Sequence, residues 1–139
     1  MSRKPENTFI SSVHRYLPVD LYSMKNSNEY NAGIADCWYS GKTGDLWIEY
    51  KFLELPKRPD TVLAFADTKK PYSLSTLQQE WLRGRCDEGR NVGVIVGSAD
   101  GGVWLPGMAF TCAIPAHRFT ESIKTRRELA GLIAQMTHG

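Results

Sequence analysis

The sequence predicts an α/β protein in which helices flank a mixed β-sheet. A segment with helical periodicity, residues 6–17, comes first, and two aromatic-rich runs typical of strands, 34–40 and 46–53, follow it. A second helical segment, 75–88, then precedes a continuous aliphatic run, 92–96. Helix, strands, helix and strand in this order are typical of α/β folds whose sheet is covered by helices.

Composition narrows the class of protein. The chain, residues 1–139, has the length of one domain, and its 42% hydrophobic and 23% charged residues are typical of a globular protein. The net charge of +2 is too small to give the whole protein a strong positive potential, so a nucleic-acid partner must be bound by a local group of basic residues. Three widely spaced cysteines favour a reducing compartment. No signal segment or membrane span is visible, so we expect a cytoplasmic protein without a membrane partner.

The N-terminal half is predicted as a helix, a hairpin and a long connection. The helix covers residues 6–17, and Pro18 ends it because proline cannot continue a helix. Its apolar residues recur at helical spacing at Phe9, Ile10, Val13, Tyr16 and Leu17. Residues 40–45, Ser-Gly-Lys-Thr-Gly-Asp, are typical of a hairpin connection between the two strands. We expect 54–73, with three prolines, to be an irregular excursion with a short element at Val62–Phe65; such long loops are usually functional or mobile.

The second helix has recognisable signals at both ends. Ser75 is the predicted N-cap, and Gly89 stands where the helix ends. Leu77, Trp81 and Leu82 form the predicted buried stripe. The aliphatic run that follows predicts a strand buried on both faces.

The C-terminal part is predicted as a return strand followed by a helix. Residues 100–102, Asp-Gly-Gly, form a turn, and the strand Val103–Leu105 is confined to the edge of the sheet by Pro106. The last helix starts near Thr125, with Glu128 three residues on completing a capping box. Its apolar face is formed by Leu129, Leu132, Ile133 and Met136.

Three charged residues fall on the two predicted strands of the hairpin. Asp36 lies in the first, and Glu49 and Lys51 lie two residues apart in the second, so both of these side chains point to one face. The opposite, core-facing side chains are Ile48, Tyr50 and Phe52. Two carboxylates and an ammonium that converge can hold a divalent cation and position a water. The alternative is a surface salt-bridge cluster, but charges on a covered strand cost free energy unless they are paired or metal-bound. Trp47 shares this face, either as a wall of the site or as a packing residue.

These residues belong to a longer series of motifs. Glu6 starts the first helix, residues 33–36 are Gly-Ile-Ala-Asp, residues 49–51 are Glu-Tyr-Lys, and residues 74–82 place Gln78 three positions before a tryptophan. The series resembles the PD-(D/E)XK nuclease superfamily, most closely its virus-type replication–repair nuclease (VRR-NUC) modules, and is similar to Holliday junction resolvases. An alanine stands where the family has the proline of its second motif, which affects backbone geometry rather than a ligand.

The resemblance covers about residues 6–98 and has implications for the fold and for a metal. It implies a restriction-endonuclease-like αβββαβ core, with 99–139 as a C-terminal extension of hairpin and helix. It implies that Mg²⁺ or Mn²⁺ is bound by Asp36, Glu49 and the backbone carbonyl of Tyr50. Glu6 would bind this metal through water or bind a second one; otherwise Glu6 is a favourable acid in a first helical turn.

The remaining catalytic roles are also implied by the resemblance. Lys51 would orient the attacking water or stabilise charge in the transition state. Gln78 would orient Lys51 or that water; the alternative is an ordinary exposed helix residue. The implied reaction is hydrolysis of a phosphodiester bond in DNA.

DNA is therefore the expected partner. Basic residues that flank the site can hold phosphates. They are Lys57, Arg58, Lys69 and Lys70 in the long excursion, and Arg83 and Arg85 in the second helix. For each of them a solvated surface is the alternative. Nothing predicts base-specific readout, so we expect recognition of DNA shape, such as a branch, flap, end or single strand.

The resemblance implies a metal-dependent, structure-selective DNA endonuclease in phage or prophage DNA repair or recombination, in the cytoplasm of a bacterium or a phage-infected host. It also implies a homodimer, because two strands of a junction need two sites, with the edge strand ending at Pro106 and the last helix as candidate contacts. The alternative is a catalytically inactive nuclease fold that binds nucleic acid or a protein, although the intact set Asp36, Glu49 and Lys51 favours an enzyme. The sequence contains no motif for an organic cofactor, which disfavours a small-molecule enzyme.

Overall fold

The computed structural model describes residues 5–26 and 33–138. In chain order the elements are α1 (Pro5–His14), β1 (Tyr22–Lys25), β2 (Cys37–Ser40), β3 (Asp45–Phe52), β4 (Val62–Leu63), α2 (Thr76–Asp87), β5 (Val92–Ser98), β6 (Gly101–Pro106), a 3-10 turn (Ala109–Thr111), β7 (Ile114–Pro115), α3 (Ala116–Glu121) and α4 (Arg126–Thr137). Apart from the two-residue β4, the order up to β5 is αβββαβ, the order that the resemblance implies, with β1 as the strand that the residue pattern did not identify.

The main sheet is mixed and has the strand order β1-β2-β3-β5-β6. Strands β1, β2 and β3 are antiparallel neighbours, β3 and β5 run parallel, and β6 returns antiparallel to β5. Parallel neighbours need a crossover connection, and the chain between β3 and β5 contains α2. All seven residues of β5 are buried, which explains its continuous aliphatic sequence. Pro106 ends β6 on the edge of the sheet, as predicted.

Two hydrophobic clusters cover the two faces of this sheet. The first contains apolar side chains of α1 and α4 and, from β3, Ile48 and Tyr50. The second contains Leu82 of α2, Phe110 of the 3-10 turn and Phe119 of α3. Because side chains alternate along a strand, Glu49 and Lys51 point away from the first cluster. The predicted division of β3 into a core-facing side and a charged side is therefore what the structure has.

The helix boundaries follow local signals, with two departures from the prediction. α1 ends at His14 rather than at Leu17, since Pro18 has no N–H to donate to the carbonyl four residues earlier and its ring crowds that carbonyl. α2 has Ser75 as N-cap, but Leu77 is 58% exposed and is not part of the buried stripe. Five residues before the buried Leu82, it lies about 140° round the helix from it. α4 begins after the predicted capping box of Thr125 and Glu128.

The excursion 54–73 is more ordered than predicted. The predicted short element is present as β4, and β4 pairs with β7 in a second, two-stranded antiparallel sheet. Leu63 and Phe65 are buried in the second hydrophobic cluster. The N–H of His117 donates to the carbonyl of Pro59 at 2.9 Å, which joins the excursion to α3. β1, β7 and α3 were not predicted from the sequence.

Candidate functional site

Strand pairing brings two carboxylates to one point of the sheet. Cys37 and Ile48 are register partners in the antiparallel pair β2–β3 and both face the first hydrophobic cluster. The residues next to them, Asp36 and Glu49, are therefore opposite each other on the other face. Lys51 follows on the same face, and its Nζ lies 3.8 Å from Oε2 of Glu49. The structure thus brings Asp36, Glu49 and Lys51 together.

Glu49 is almost completely buried, which is unusual for an acidic residue. Only 1% of the residue is exposed, and 16% of the neighbouring Lys51 side chain. Burial raises the pKa of Glu49 well above its ordinary value of 4.5, and the negative charge of Asp36 raises this pKa further. The Lys51 ammonium lowers the same pKa but does not reverse the shift. Glu49 is therefore difficult to ionise without a further cation.

One carboxylate oxygen at this point has no N–H or O–H donor among the described residues. Oε1 of Glu49 is buried and accepts no such hydrogen bond, and the Asp36 carboxyl lies within hydrogen-bond range of Glu49 but can bond to it only with a proton on one of the two groups. Leaving a buried polar atom unpaired is costly, and such atoms are often completed by an ion or a ligand. A hard divalent cation, which prefers carboxylate oxygens, fits this oxygen and the facing Asp36.

The protein ligands for a cation are nevertheless few. In residues 5–26 and 33–138, no group of three or more His, Cys, Asp and Glu side chains is placed to hold a metal ion. Mg²⁺ does not need such a cage, because it usually keeps several waters and binds through one or two carboxylates and the substrate phosphate. The two carboxylates therefore suit a cation of the Mg²⁺ type, which keeps several waters, rather than a structural metal that is bound by protein ligands alone.

The backbone of Tyr50 is oriented toward the same point. Its N–H donates to Oδ2 of Asp36 at 2.9 Å, which fixes one carboxylate oxygen of the pair. In an extended strand the N–H and C=O of one residue point to the same side, so the Tyr50 carbonyl also faces Asp36. The Tyr50 ring lies on the other face, where its hydroxyl and that of Tyr39 are 2.7 Å apart.

Two further predicted site residues are located less directly. Glu6, half-buried in the first turn of α1, contributes to raising the pKa of Glu49, so it lies within electrostatic range of the pair. Gln78 is engaged in the capping box of α2: its Oε1 accepts the N–H of Ser75 at 2.9 Å. The oxygen that would accept from the Lys51 ammonium therefore already accepts one hydrogen bond of the helix cap and has one further lone pair. The Gln78 Nε2 group remains as a donor.

The predicted phosphate-binding residues lie on the surface. Five of them are exposed: Lys57, Arg58, Lys69, Lys70 and Arg83. Arg85 is paired with Glu88 at 2.8 Å and lies 5.7 Å from the centre of the Trp81 ring. Pro71 and Phe52 line one cleft of about 300 Å³, which brings the chain next to Lys70 close to the end of β3 that carries Lys51.

Beside the carboxylates lies an aromatic surface of which only Trp47 was noted from the sequence. Trp38 and Trp47 are register partners on β2 and β3, and their rings stack with centres 5.6 Å apart. Tyr22 of β1 and Trp81 of α2 extend this pair on its two sides. The alternation of Tyr22 and Met24 in a strand was the signal that could have revealed it.

Comparison with known proteins gives a structural likeness. The chain is similar to a solved structure of Archaeoglobus fulgidus Hjc, a Holliday junction resolvase from an archaeal hyperthermophile, at 14% sequence identity and a TM-score of 0.50. The match covers 92% of this chain and 97% of that chain, so it extends beyond residue 98 into the segment expected to lie outside the resemblance. No family model matches the sequence, and no curated protein matches it.

The fold is therefore the restriction-endonuclease-like one: a five-stranded mixed sheet flanked by helices. In particular it is the fold of an archaeal junction resolvase, although an identity of 14% shows the fold alone. Among the described residues, no helix is long and apolar enough to cross a membrane.

Proposed function

We propose that this chain is a divalent-metal-dependent DNA endonuclease that is selective for DNA structure. The observation that carries the proposal is the buried Glu49, which has an unpaired carboxylate oxygen and faces a second carboxylate and an ammonium. The likeness in fold to a junction resolvase supports the same class of reaction. Cleavage of DNA needs a group that neutralises the phosphodiester, and this arrangement provides a place for one.

Asp36 and Glu49 would hold Mg²⁺ or Mn²⁺, with the Tyr50 carbonyl as a further oxygen ligand and Glu6 in an outer position. The bound cation would neutralise phosphate charge and lower the pKa of a water. Lys51, held 3.8 Å from Glu49, contributes a fixed positive charge toward the developing charge of the reacting phosphate. The hydrogen bond from the Tyr50 N–H keeps the Asp36 carboxylate from rotating away. The proposed role of Gln78 is to donate from Nε2 to the water.

Three finer proposals depend on this one. The first is that the substrate is a branched, flapped or single-stranded region of DNA. The second is that the protein acts in phage or prophage DNA repair or recombination, in a cytoplasm. The third is that the chain acts as a homodimer on junctions. VRR-NUC modules remain the proposed relatives within the superfamily. Light scattering of the protein on a four-way junction tests the dimer, because two copies per junction are required.

Cleavage assays test the activity directly. A supercoiled plasmid and a synthetic four-way junction are incubated with Mg²⁺ or Mn²⁺, and Glu49→Gln and Lys51→Ala are each expected to lower the cleavage rate by about a hundredfold or more. Glu121→Gln is the matched control, because Glu121 is an exposed glutamate of α3 and does not line the cleft beside Lys51. Cleavage that survives both substitutions would remove the site from the mechanism.

The metal is tested separately by calorimetry. Asp36→Asn keeps an oxygen that can accept the Tyr50 N–H, so the fold should be retained while Mg²⁺ or Mn²⁺ binding weakens. Unchanged affinity would exclude Asp36 as a ligand. Tight DNA binding without cleavage under any metal would instead favour the catalytically inactive nuclease fold.

A further inference from the structure

Four aromatic side chains form a continuous row on the sheet face that carries Glu49. The Tyr22 and Trp38 ring centres are 5.3 Å apart, those of Trp38 and Trp47 5.6 Å, and those of Trp47 and Trp81 5.3 Å. The first and last of these contacts are edge-to-face, and the central one is stacked. We call Tyr22, Trp38, Trp47 and Trp81 the aromatic row.

The aromatic row adjoins the proposed active site. Trp38 follows Asp36 by two residues and Trp47 precedes Glu49 by two, so each tryptophan lies about 7 Å along its strand from a carboxylate. Both tryptophans share the face of those carboxylates because side chains alternate along a strand. A DNA strand whose phosphate reaches Glu49 therefore has its neighbouring nucleotides over the row.

The aromatic row is also open to solvent. Tyr22 is 53% exposed and Met24, its neighbour on the same face of β1, is 41% exposed. Trp38, Trp47 and Trp81 are each half-buried; Trp47 and Trp81 pack against the second hydrophobic cluster, yet each of the three keeps part of its surface in contact with solvent. Cross-strand aromatic pairs stabilise a sheet, but that role alone does not require a row of rings left partly in contact with water next to the buried Glu49 carboxylate.

Positive charge accompanies the row at its α2 end. The guanidinium of Arg85 lies over the Trp81 ring, and Arg90 lines a groove of about 380 Å³ together with Trp47, Asn91 and Asp45. The Asp45 carboxylate is engaged locally, since it accepts from the Trp38 indole N–H at 3.1 Å and from the Ser40 hydroxyl at 2.8 Å. Aromatic rings alternating with cations are the combination that binds single-stranded nucleic acid through bases and phosphates.

We propose that the aromatic row binds an unpaired stretch of a DNA strand beside the phosphate that is cleaved. The preferred substrate is then DNA with single-stranded nucleotides at a flap, branch or end, and uniform duplex is a poorer one. Paired bases are stacked inside a duplex and do not offer their faces to a protein, whereas unpaired bases do. This inference rests on the proposed nuclease function for the position of the phosphate.

Binding in the absence of divalent metal tests the row without requiring cleavage. Affinity for a single-stranded oligonucleotide of mixed sequence is measured by fluorescence anisotropy in EDTA for wild type, Tyr22→Leu, Tyr22→Phe and Trp38→Leu. Removing one ring is expected to weaken binding by between about fivefold and about a hundredfold, whereas Tyr22→Phe, which keeps the ring, restores it. Tyr16→Leu is the matched control, because Tyr16 is a tyrosine of similar exposure, 45%, that contacts Arg127 of α4 instead.

The outcomes separate this inference from the proposed function. Equal single-strand affinity of Tyr22→Leu, Trp38→Leu and wild type overturns the inference, even if the wild type cleaves duplex DNA. Weaker binding of both leucine variants supports the row, and if the wild type then cleaves no DNA with any divalent metal, only the nuclease function fails. A change of oligomeric state in Tyr22→Leu with unchanged DNA affinity would assign the row to a contact between copies and overturn the inference.

Discussion

At the scale of single residues, Glu49 is the side chain whose energetics differ most from those expected in water. Its pKa is raised by burial first and by the charge of Asp36 second, so the folded state resists its ionisation. A folded-state pKa above the unfolded one stabilises the protein below the unfolded value. That stabilisation is lost as pH rises through the folded pKa. The metal-free protein therefore loses stability at this residue as pH rises above 4.5.

We predict that Glu49→Gln makes the metal-free protein more stable than wild type, and that the advantage grows as pH rises. Glutamine does not ionise, so it avoids the cost, which increases by at most about 1.4 kcal/mol per pH unit. Urea unfolding in EDTA between about pH 4 and about pH 8 measures the difference. Glu54→Gln, at an exposed position, should show no such slope. A difference between Glu49→Gln and wild type that is constant with pH would contradict the burial argument.

Gln78 allows its capping and proposed catalytic roles to be separated. Glutamate caps a helix at this third position as well as glutamine does, but it lacks the Nε2 donor. We therefore predict that Gln78→Glu keeps the thermal midpoint of wild type and lowers DNA cleavage by about tenfold or more. Gln78→Ala is the control for the cap and should destabilise the protein by about 1 kcal/mol. Normal cleavage by Gln78→Glu would leave Gln78 with the helix cap alone.

The sequence predicted the local geometry of the site better than its chemistry. The period of two along a strand places Glu49 and Lys51 on one face whatever the rest of the fold does. The unpaired Oε1 and the raised pKa depend on what covers the strand, which is decided by residues distant in the sequence. The resemblance implied a role for Gln78 toward Lys51 or the water, and the hydrogen bond from the Ser75 N–H to its Oε1 was not considered.

At the scale of elements, α1 can pack closely against β5 because residue 97 of β5 is a glycine. A Cβ added to Gly97 would lie 2.7 Å from the Phe9 ring, and the ring atoms concerned form its body, not a flexible end. We predict that Gly97→Ala destabilises the protein by about 1–3 kcal/mol, because α1 must move or Phe9 must leave its rotamer. Gly84→Ala is the counterpart: nothing lies within 4 Å, so helix propensity should stabilise α2 by about 0.5–1 kcal/mol. Chemical unfolding measures the free energy of unfolding of both variants. Equal changes for Gly97→Ala and Gly84→Ala would contradict the steric argument for Gly97.

Elements with local signals were predictable and elements that depend on distant partners were not. The capping boxes at Ser75 and Thr125 are written in four consecutive residues each, so both helices were predicted to begin where they do. Strand β7 has two residues and pairs with β4, far back along the chain, so no local signal identifies it. β1 has only four residues, so the alternation of Tyr22 and Met24 with polar residues is too short to identify a strand by itself, and every one of its side chains is exposed.

At the scale of the whole molecule, the net charge is small, so the electrostatic attraction of DNA must come from local groups of basic residues. A net charge of +2 produces weak attraction over distance, so binding of DNA depends on which cations contact phosphates. Lys69 and Lys70 are the best placed of the predicted residues, since the next residue, Pro71, lines the cleft at the end of β3. The exposed Lys42 and Lys124 lie on other parts of the surface and provide a comparison of equal charge.

We predict that the double substitution of Lys69 and Lys70 by glutamine lowers the slope of log Kd against log salt by about two, because each lysine displaces about one counterion from duplex DNA. The same double substitution at Lys42 and Lys124 lowers the net charge equally and should leave the slope unchanged. Binding is measured by fluorescence anisotropy over a salt series in Ca²⁺ or EDTA, so that no DNA is cut. Equal slopes for both double variants would mean that total charge, and not the cleft beside Lys51, governs the attraction of DNA.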